Sequence, residues 1–204
     1  EEMLEIPPLD DLRQLCIDCA NLATSQLHLA VLPALTRLTI CCEPVERSLW
    51  LHNMDGMTAL EELYWNNMEP IELLILSHYL PTRLTKLVLN TVTYARLPLD
   101  QSDLETLSAN VMELPHLTAL ELPDIPLSES FVQLMKTSQL TTVPPILLKQ
   151  PDMIPLVAEV LPAMSHLREL EYGFASTLDL FTGNEYPKDT PWMLDLLRTC
   201  TQLT

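Results

Sequence analysis

One phrase recurs along this chain and limits what it can fold into: Leu-x-x-Leu-x-(Leu/Ile/aromatic). It reads Leu12-Arg-Gln-Leu15-Cys-Ile17, Leu35-Thr-Arg-Leu38-Thr-Ile40, Leu60-Glu-Glu-Leu63-Tyr-Trp65, Leu84-Thr-Lys-Leu87-Val-Leu89 and Leu117-Thr-Ala-Leu120-Glu-Leu122. A degenerate copy begins Leu140-Thr-Thr-Val143, another reads Leu167-Arg-Glu-Leu170-Glu-Tyr172, and Leu203 stands where an eighth would start. The first leucines are 23, 25, 24, 33, 23, 27 and 36 residues apart. Self-similarity at such intervals is the mark of a repeat architecture, in which each unit buries its apolar face against its neighbours.

The fourth and sixth positions of the phrase are two residues apart, so they point to one face of a short strand. The first leucine turns into the same core, and the intervening residues point the other way. One strand per repeat builds a parallel sheet, and each strand then needs a crossover on the buried side. Helices are expected at Ser25–Leu32, Ile71–Leu80, Ser102–Leu114, Ser128–Met135, Met153–Met164 and Pro191–Thr199. Ser102 and Ser128 stand at helix-capping positions, and Thr190 precedes a proline suited to a first helical turn. A second phrase links helix to strand: Leu32-Pro-Ala-Leu35, Leu80-Pro-Thr-Arg-Leu84, Leu114-Pro-His-Leu117 and Leu161-Pro-Ala-Met164. Proline there ends a helix and starts extended chain. The 33- and 36-residue intervals imply insertions, around Tyr94–Asp103 and Phe181–Thr190, and Pro144-Pro145 is expected to break the sixth strand.

These phrases resemble the leucine-rich repeat family in its longer strand–helix form, as in ribonuclease-inhibitor-like proteins and the repeat domains of F-box and NLR proteins. The resemblance covers the chain from about Leu12 to Leu203. It implies an α/β solenoid, a horseshoe with parallel strands on the concave side and helices on the convex side. Residues 1–204 would then form a single domain of about seven repeats. The family's usual Asn or Cys at the ninth position of the phrase is replaced here by Ala20, Glu43, Met68, Val92, Ile125 and Ala175. The turn after each strand is therefore expected to differ from the family's. Neither end carries a polar cap, which points to a segment of a larger protein or assembly.

Composition narrows the function. The 28 acidic residues against 11 basic ones give a net charge of −17, which disfavours nucleic acid and anionic membrane as partners. Only 3 glycines are present, too few for a phosphate-binding loop. No apolar run reaches the length of a membrane span. No Asn-x-Ser/Thr sequon occurs, and the 5 cysteines lack the spacing of a secreted disulfide framework. A cytoplasmic or otherwise intracellular protein is expected. Cys16, Cys19, Cys41 and Cys42 lie in adjacent repeats, with Cys19 and Cys42 at equivalent places. Reduced packing residues, a disulfide and a zinc site are all compatible with that pattern. His116 and His166 both precede a strand leucine, which reads as a turn position.

No nucleophile elbow and no His-x-x-x-His helix occurs, so the chain is read as a non-enzyme without a cofactor. The expected function is protein–protein interaction, as a recognition module or as an architectural subunit of a large complex. The inner sheet face is the normal binding surface of a solenoid. Its candidate contact residues are Arg37, Glu61, Glu62, Tyr64, Lys86, Glu121, Arg168 and Glu169, with Tyr64 the aromatic anchor and Trp65 assigned to the core. The Phe181–Thr190 segment, with Tyr186, is the candidate binding loop.

Overall fold

The computed structural model describes residues 4–6, 9–19, 27–29, 32–42, 54, 56–68, 70–91, 100–122, 128–142 and 154–168. It is an α/β fold. Its strands are β1 (Leu4–Ile6), β2 (Gln14–Cys19), β3 (Leu27–Leu29), β4 (Arg37–Cys42), β5 (Glu62–Met68), β6 (Lys86–Thr91) and β7 (Ala119–Glu121). A five-stranded parallel sheet runs β2-β4-β5-β6-β7, and β1 pairs with β3 in a separate two-stranded parallel sheet. The helices are α1 (Pro70–Ser77), α2 (Gln101–Met112), α3 (Glu129–Met135) and α4 (Ile154–Val160), the last followed by a 3₁₀ turn at Leu161–Ala163.

The sheet register reproduces the repeat intervals. Gln14 faces Arg37, 23 residues on; Arg37 faces Glu62, Glu62 faces Lys86 and Lys86 faces Ala119. The fourth-position residues Leu15, Leu38, Leu63, Leu87 and Leu120 thereby form one row, and Ile17, Ile40, Trp65 and Leu89 form the next. Because side chains alternate between faces, both rows enter one core. The helices bury Leu73, Leu76, Leu104, Leu107, Val111, Phe131, Val132, Met135, Val157 and Val160 in the same cluster. They pack in chain order, α1 on α2, α2 on α3 and α3 on α4. Two small polar contacts tie neighbouring helices: Asn110 Nδ2 donates to Ser77 Oγ at 3.0 Å, and the Ser108 and Ser128 hydroxyls lie 3.3 Å apart.

Each strand of the five-stranded sheet is entered through a four-residue turn closed by one backbone hydrogen bond: Leu12 to Leu9, Leu35 to Leu32, Leu60 to Met57, Leu84 to Pro81 and Leu117 to Leu114; the same turn recurs from Leu167 to Met164. Pro33 and Pro115 occupy the second place of their turns, where a proline's fixed φ is favoured. The other two copies of the proline phrase are used differently. Pro81 is the first residue of its turn, and Pro162 lies in the 3₁₀ helix, leaving Met164-Ser-His-Leu167 as the equivalent turn. His116 and His166 are both exposed at the third place of such a turn, as their position before a leucine implied.

A second regularity follows directly. The residue after each first leucine offers its carbonyl to the next repeat. Thr36 and Arg37 donate to Arg13, Glu61 and Glu62 to Thr36, Thr85 and Lys86 to Glu61, and Thr118 and Ala119 to Thr85. Thr141 then donates to Thr118 and Arg168 to Thr141, so the stacking continues beyond β7. The hydroxyls of Thr36, Thr85, Thr118 and Thr141 bond to the same carbonyls at 3.0 to 3.1 Å. This ladder lies at strand entry.

Three expectations are corrected. The helix expected at Ser25–Leu32 is replaced by strand over Leu27–Leu29, paired with Leu4–Ile6. Leu-His-Leu and Leu-Glu-Ile alternate with period two, and the available partner strand overrides local helical bias. Helix α2 is capped by Asp100 and not by Ser102: the Asp100 carboxylate accepts from the Asp103 N–H at 2.9 Å, and Asp103 returns a bond to the Asp100 N–H. The insertion expected at Tyr94–Asp103 is therefore partly the cap and first turn of α2, which at 12 residues is longer than the 8-residue α1. At Ser128 the expected cap is present, with its hydroxyl accepting from the Phe131 N–H at 3.2 Å. At the sixth copy the described residues end on a bridge residue, Thr142. The Pro191–Thr199 helix, Pro144-Pro145 and the Phe181–Thr190 loop lie outside the described residues. Among the described residues, no helix is long and apolar enough to cross a membrane.

Candidate functional site

The face of the sheet opposite the helices is the candidate site. It is built by the odd positions of the phrase: Gln14, Cys16 and Asp18 on β2, Arg37, Thr39 and Cys41 on β4, and Glu62, Tyr64 and Asn66 on β5. Lys86, Val88 and Asn90 follow on β6, then Ala119 and Glu121 on β7. Their alternation with the leucine rows puts them here with no further instruction from the sequence.

Tyr64 is the centre of this face. In the register it stands between Thr39 and Val88, so Arg37 and Lys86 are its diagonal neighbours, one from each flanking strand. The Arg37 guanidinium lies 4.7 Å from the ring centroid and the Lys86 ammonium 5.2 Å. Both distances are within cation–π range. The Tyr64 hydroxyl donates to Glu62 Oε2 at 3.0 Å, and the same oxygen faces Arg37 Nε at 3.6 Å. Arg37 and Glu62 keep 45% and 38% of their side chains exposed, so the ion pair holds a geometry and adds little stability. Val88, beside the ring, is buried although it lies on the open face.

The cluster contains two cations and one carboxylate on a chain that carries a net charge of −17. The carboxylate is already engaged by the tyrosine hydroxyl and the guanidinium. What remains presented is an aromatic edge and the spare N–H groups of Arg37 and Lys86. That combination suits a partner's acidic or carbonyl-bearing group packed beside an apolar one.

A short side-chain ladder borders the cluster at the seventh position of the phrase. Asn90 Nδ2 donates to Asn66 Oδ1 at 2.7 Å, and Asn66 Nδ2 donates to Cys41 Sγ at 3.2 Å. The sequence shows the recurrence only once the register is known, since Asp18 and Cys41 differ in type from Asn66 and Asn90. Cys16 and Cys41 are free thiols. Cys19 and Cys42 are register partners, as their equivalent places predict. Among the described residues, no group of three His, Cys, Asp or Glu is placed to hold a metal ion.

The remaining candidates are dispersed. Glu121 is exposed on β7, two strands from Tyr64. Glu61 precedes β5 and stands at the strand-entry rim. There it lines a shallow groove of about 370 Å³ with Arg83, Thr85, Pro115, His116, Thr118 and Gln139. Arg168 is exposed at the end of the carbonyl ladder. Glu169 and Tyr186 lie outside the described residues. The structure thus brings Arg37, Glu62, Tyr64 and Lys86 together and leaves Glu61, Glu121 and Arg168 apart from them.

No protein-family model matches this chain, and no curated protein matches it. The functional reading therefore rests on the geometry above.

Proposed function

We propose that this chain is a leucine-rich-repeat solenoid acting as a non-catalytic protein–protein interaction module, with its open sheet face as the concave recognition surface. One observation carries the reading: Tyr64 is held between Arg37 and Lys86 in the middle of a solvent-facing sheet, with its hydroxyl committed to Glu62. Tyrosine and arginine are the residue types that most often dominate interface energy. A side chain already fixed by its neighbours loses less freedom when a partner arrives. The partner is a protein that presents an acidic group towards Arg37 and Lys86 and an apolar group towards the Tyr64 ring. The free thiols Cys16 and Cys41 fit a reducing, intracellular setting.

The test is capture of partners on the tagged full chain, followed by affinity measurement on the recovered partner. Tyr64→Ala is expected to weaken binding by roughly thirtyfold, the effect of a hot-spot truncation of about 2 kcal/mol. Glu61→Ala, on the rim, is expected to leave binding within about twofold, as for most interface-peripheral positions. The reverse order of effects would move the site from the open face to the rim groove.

A further inference from the structure

The open face is irregular at one place beside Tyr64, between strands that have neighbours on both sides. Trp65 of β5 faces Leu89 of β6, and the next register pair is Met68 with Thr91. β5 therefore carries one residue more than β6, and the surplus falls within Asn66-Asn67, opposite Asn90. An inserted residue interrupts the backbone ladder and re-aims the side chains beside it. Side-chain amides bridge the interruption. Asn90 Nδ2 donates to Asn66 Oδ1 at 2.7 Å, and Asn66 Nδ2 donates to Cys41 Sγ at 3.2 Å.

A primary amide has two N–H groups and one carbonyl oxygen. Asn90 is exposed and spends one N–H on Asn66; among the described residues, its other N–H and its oxygen carry no bond. It thus presents one donor and one acceptor in one plane, the complement of a second amide. Lys86, Val88 and Asn90 are alternate residues of β6, and Val88 is level with Tyr64. The Arg37–Lys86 cations, the Tyr64 ring and the Asn90 amide therefore follow one another along the strand at intervals of roughly 6.6 Å. An extended chain brings alternate side chains to one face at that same interval. A helical turn advances only about 5.4 Å, so its successive turns fall out of step with these three points. With Glu62 already engaged, the two cations favour an acidic group at their end of the line.

We propose that the Tyr64 face reads an extended segment of the partner protein lying along β6, with an acidic residue at Arg37 and Lys86, an apolar residue at the Tyr64 ring and an Asn or Gln at Asn90, on alternate positions and in either chain direction. The inference rests on the recognition surface proposed above and adds the conformation and residue pattern of what it binds. Asn90 determines specificity by pairing amide to amide, and Asn66, anchored on Cys41, holds its orientation.

Random dodecapeptides displayed on phage, selected on the immobilised full chain and then measured singly for affinity, test the proposal. The expected result is enrichment of an acidic, an apolar and an amide residue at alternate positions, with affinity lost on Tyr64→Ala. Asn90→Ala is expected to weaken these peptides at least about fivefold. The same substitution is expected to make no difference to peptides carrying Ala in place of their Asn or Gln, which marks a direct pair. If Asn90→Ala fails to fold, the nitrogen-labelled unaltered chain decides the question. The side-chain amide protons of Asn90 are then expected to shift with the selected peptide and not with its Ala variant. Acidic and apolar residues enriched at the helical interval of three or four positions would overturn the extended conformation and leave Tyr64 as the site. Peptides that depend on Tyr64 but not on Asn90 would overturn the amide pairing. Peptides indifferent to Tyr64→Ala would overturn the recognition surface itself, and absence of enrichment would overturn the present proposal.

Discussion

Each repeat of this chain has two halves that obey different rules. The turn-and-strand half barely varies: the same four-residue turn, the same carbonyl ladder and the same two leucine rows recur from Leu9 to Leu122. The crossover half varies freely. It holds a 3-residue strand before β4, an 8-residue helix before β6, and a 12-residue helix before β7. Conformation in the first half is imposed by neighbours on both sides through backbone hydrogen bonds. In the second it is chosen locally, by a cap at Asp100 or Ser128 or by an available partner strand at Leu4–Ile6. Repeats therefore stack in register even where their crossovers do not resemble one another.

Substitutions can break this contrast at three levels. The largest effect is expected in the shared core. Leu63 is fully buried in the central row, and Leu63→Ala is expected to cost about 2–5 kcal/mol in denaturant unfolding, the range for a large-to-small change in a packed core. A loss below about 1 kcal/mol would mean that the leucine rows do not form one packed core. An intermediate effect belongs to the ladder. Thr85→Val keeps the shape and removes the hydroxyl bonded to the Glu61 carbonyl, with an expected cost of about 0.5–1.5 kcal/mol. The same change at Thr106, whose hydroxyl bonds within its own helix and is exposed, serves as the comparison and is expected to cost less.

The smallest effect belongs to a crossover cap. The Asp100 carboxyl is held below its ordinary value, first by the Asp103 N–H and then by the Ser102 hydroxyl. A carboxyl lowered in the folded state contributes stability above its unfolded pKa, and that contribution fades as pH falls through the folded value. Asp100→Asn is therefore expected to lower the melting temperature slightly at neutral pH and to converge on the unaltered protein in acid. A difference that grew on acidification would contradict the capping role.

The fold was legible in the sequence where the period was two and the copies repeated. Leu-x-x-Leu-x-Leu located β2, β4, β5, β6 and β7, and parity alone put Tyr64 on the open face and Trp65 in the core. The Leu-Thr pair was equally visible at Leu35-Thr36, Leu84-Thr85, Leu117-Thr118 and Leu140-Thr141. Its role was not, because a hydroxyl-to-carbonyl bond between residues 23 to 33 apart has no local signature. Glu61 was grouped with Glu62, yet strand alternation begins only at Glu62, which leaves Glu61 on the rim. The clustering of Arg37 and Lys86 about Tyr64 depends on register offsets of 25 and 24 residues, and a one-residue slip would have dispersed it. The strand at Leu27–Leu29 was hidden for a related reason: its partner lies 23 residues earlier, outside any helical or strand window.

The central claim is that successive copies of the phrase stack as parallel strands through one carbonyl ladder. Nuclear Overhauser contacts between backbone amide and α protons in the labelled full chain test it most directly. The account predicts parallel-strand contacts joining Arg13 to Arg37, Thr36 to Glu62, Glu61 to Lys86 and Thr85 to Ala119, with Tyr64 ring protons close to the side chains of both Arg37 and Lys86. Antiparallel contacts among these segments, or a register displaced by one residue at β5, would contradict the stacking and the site built upon it.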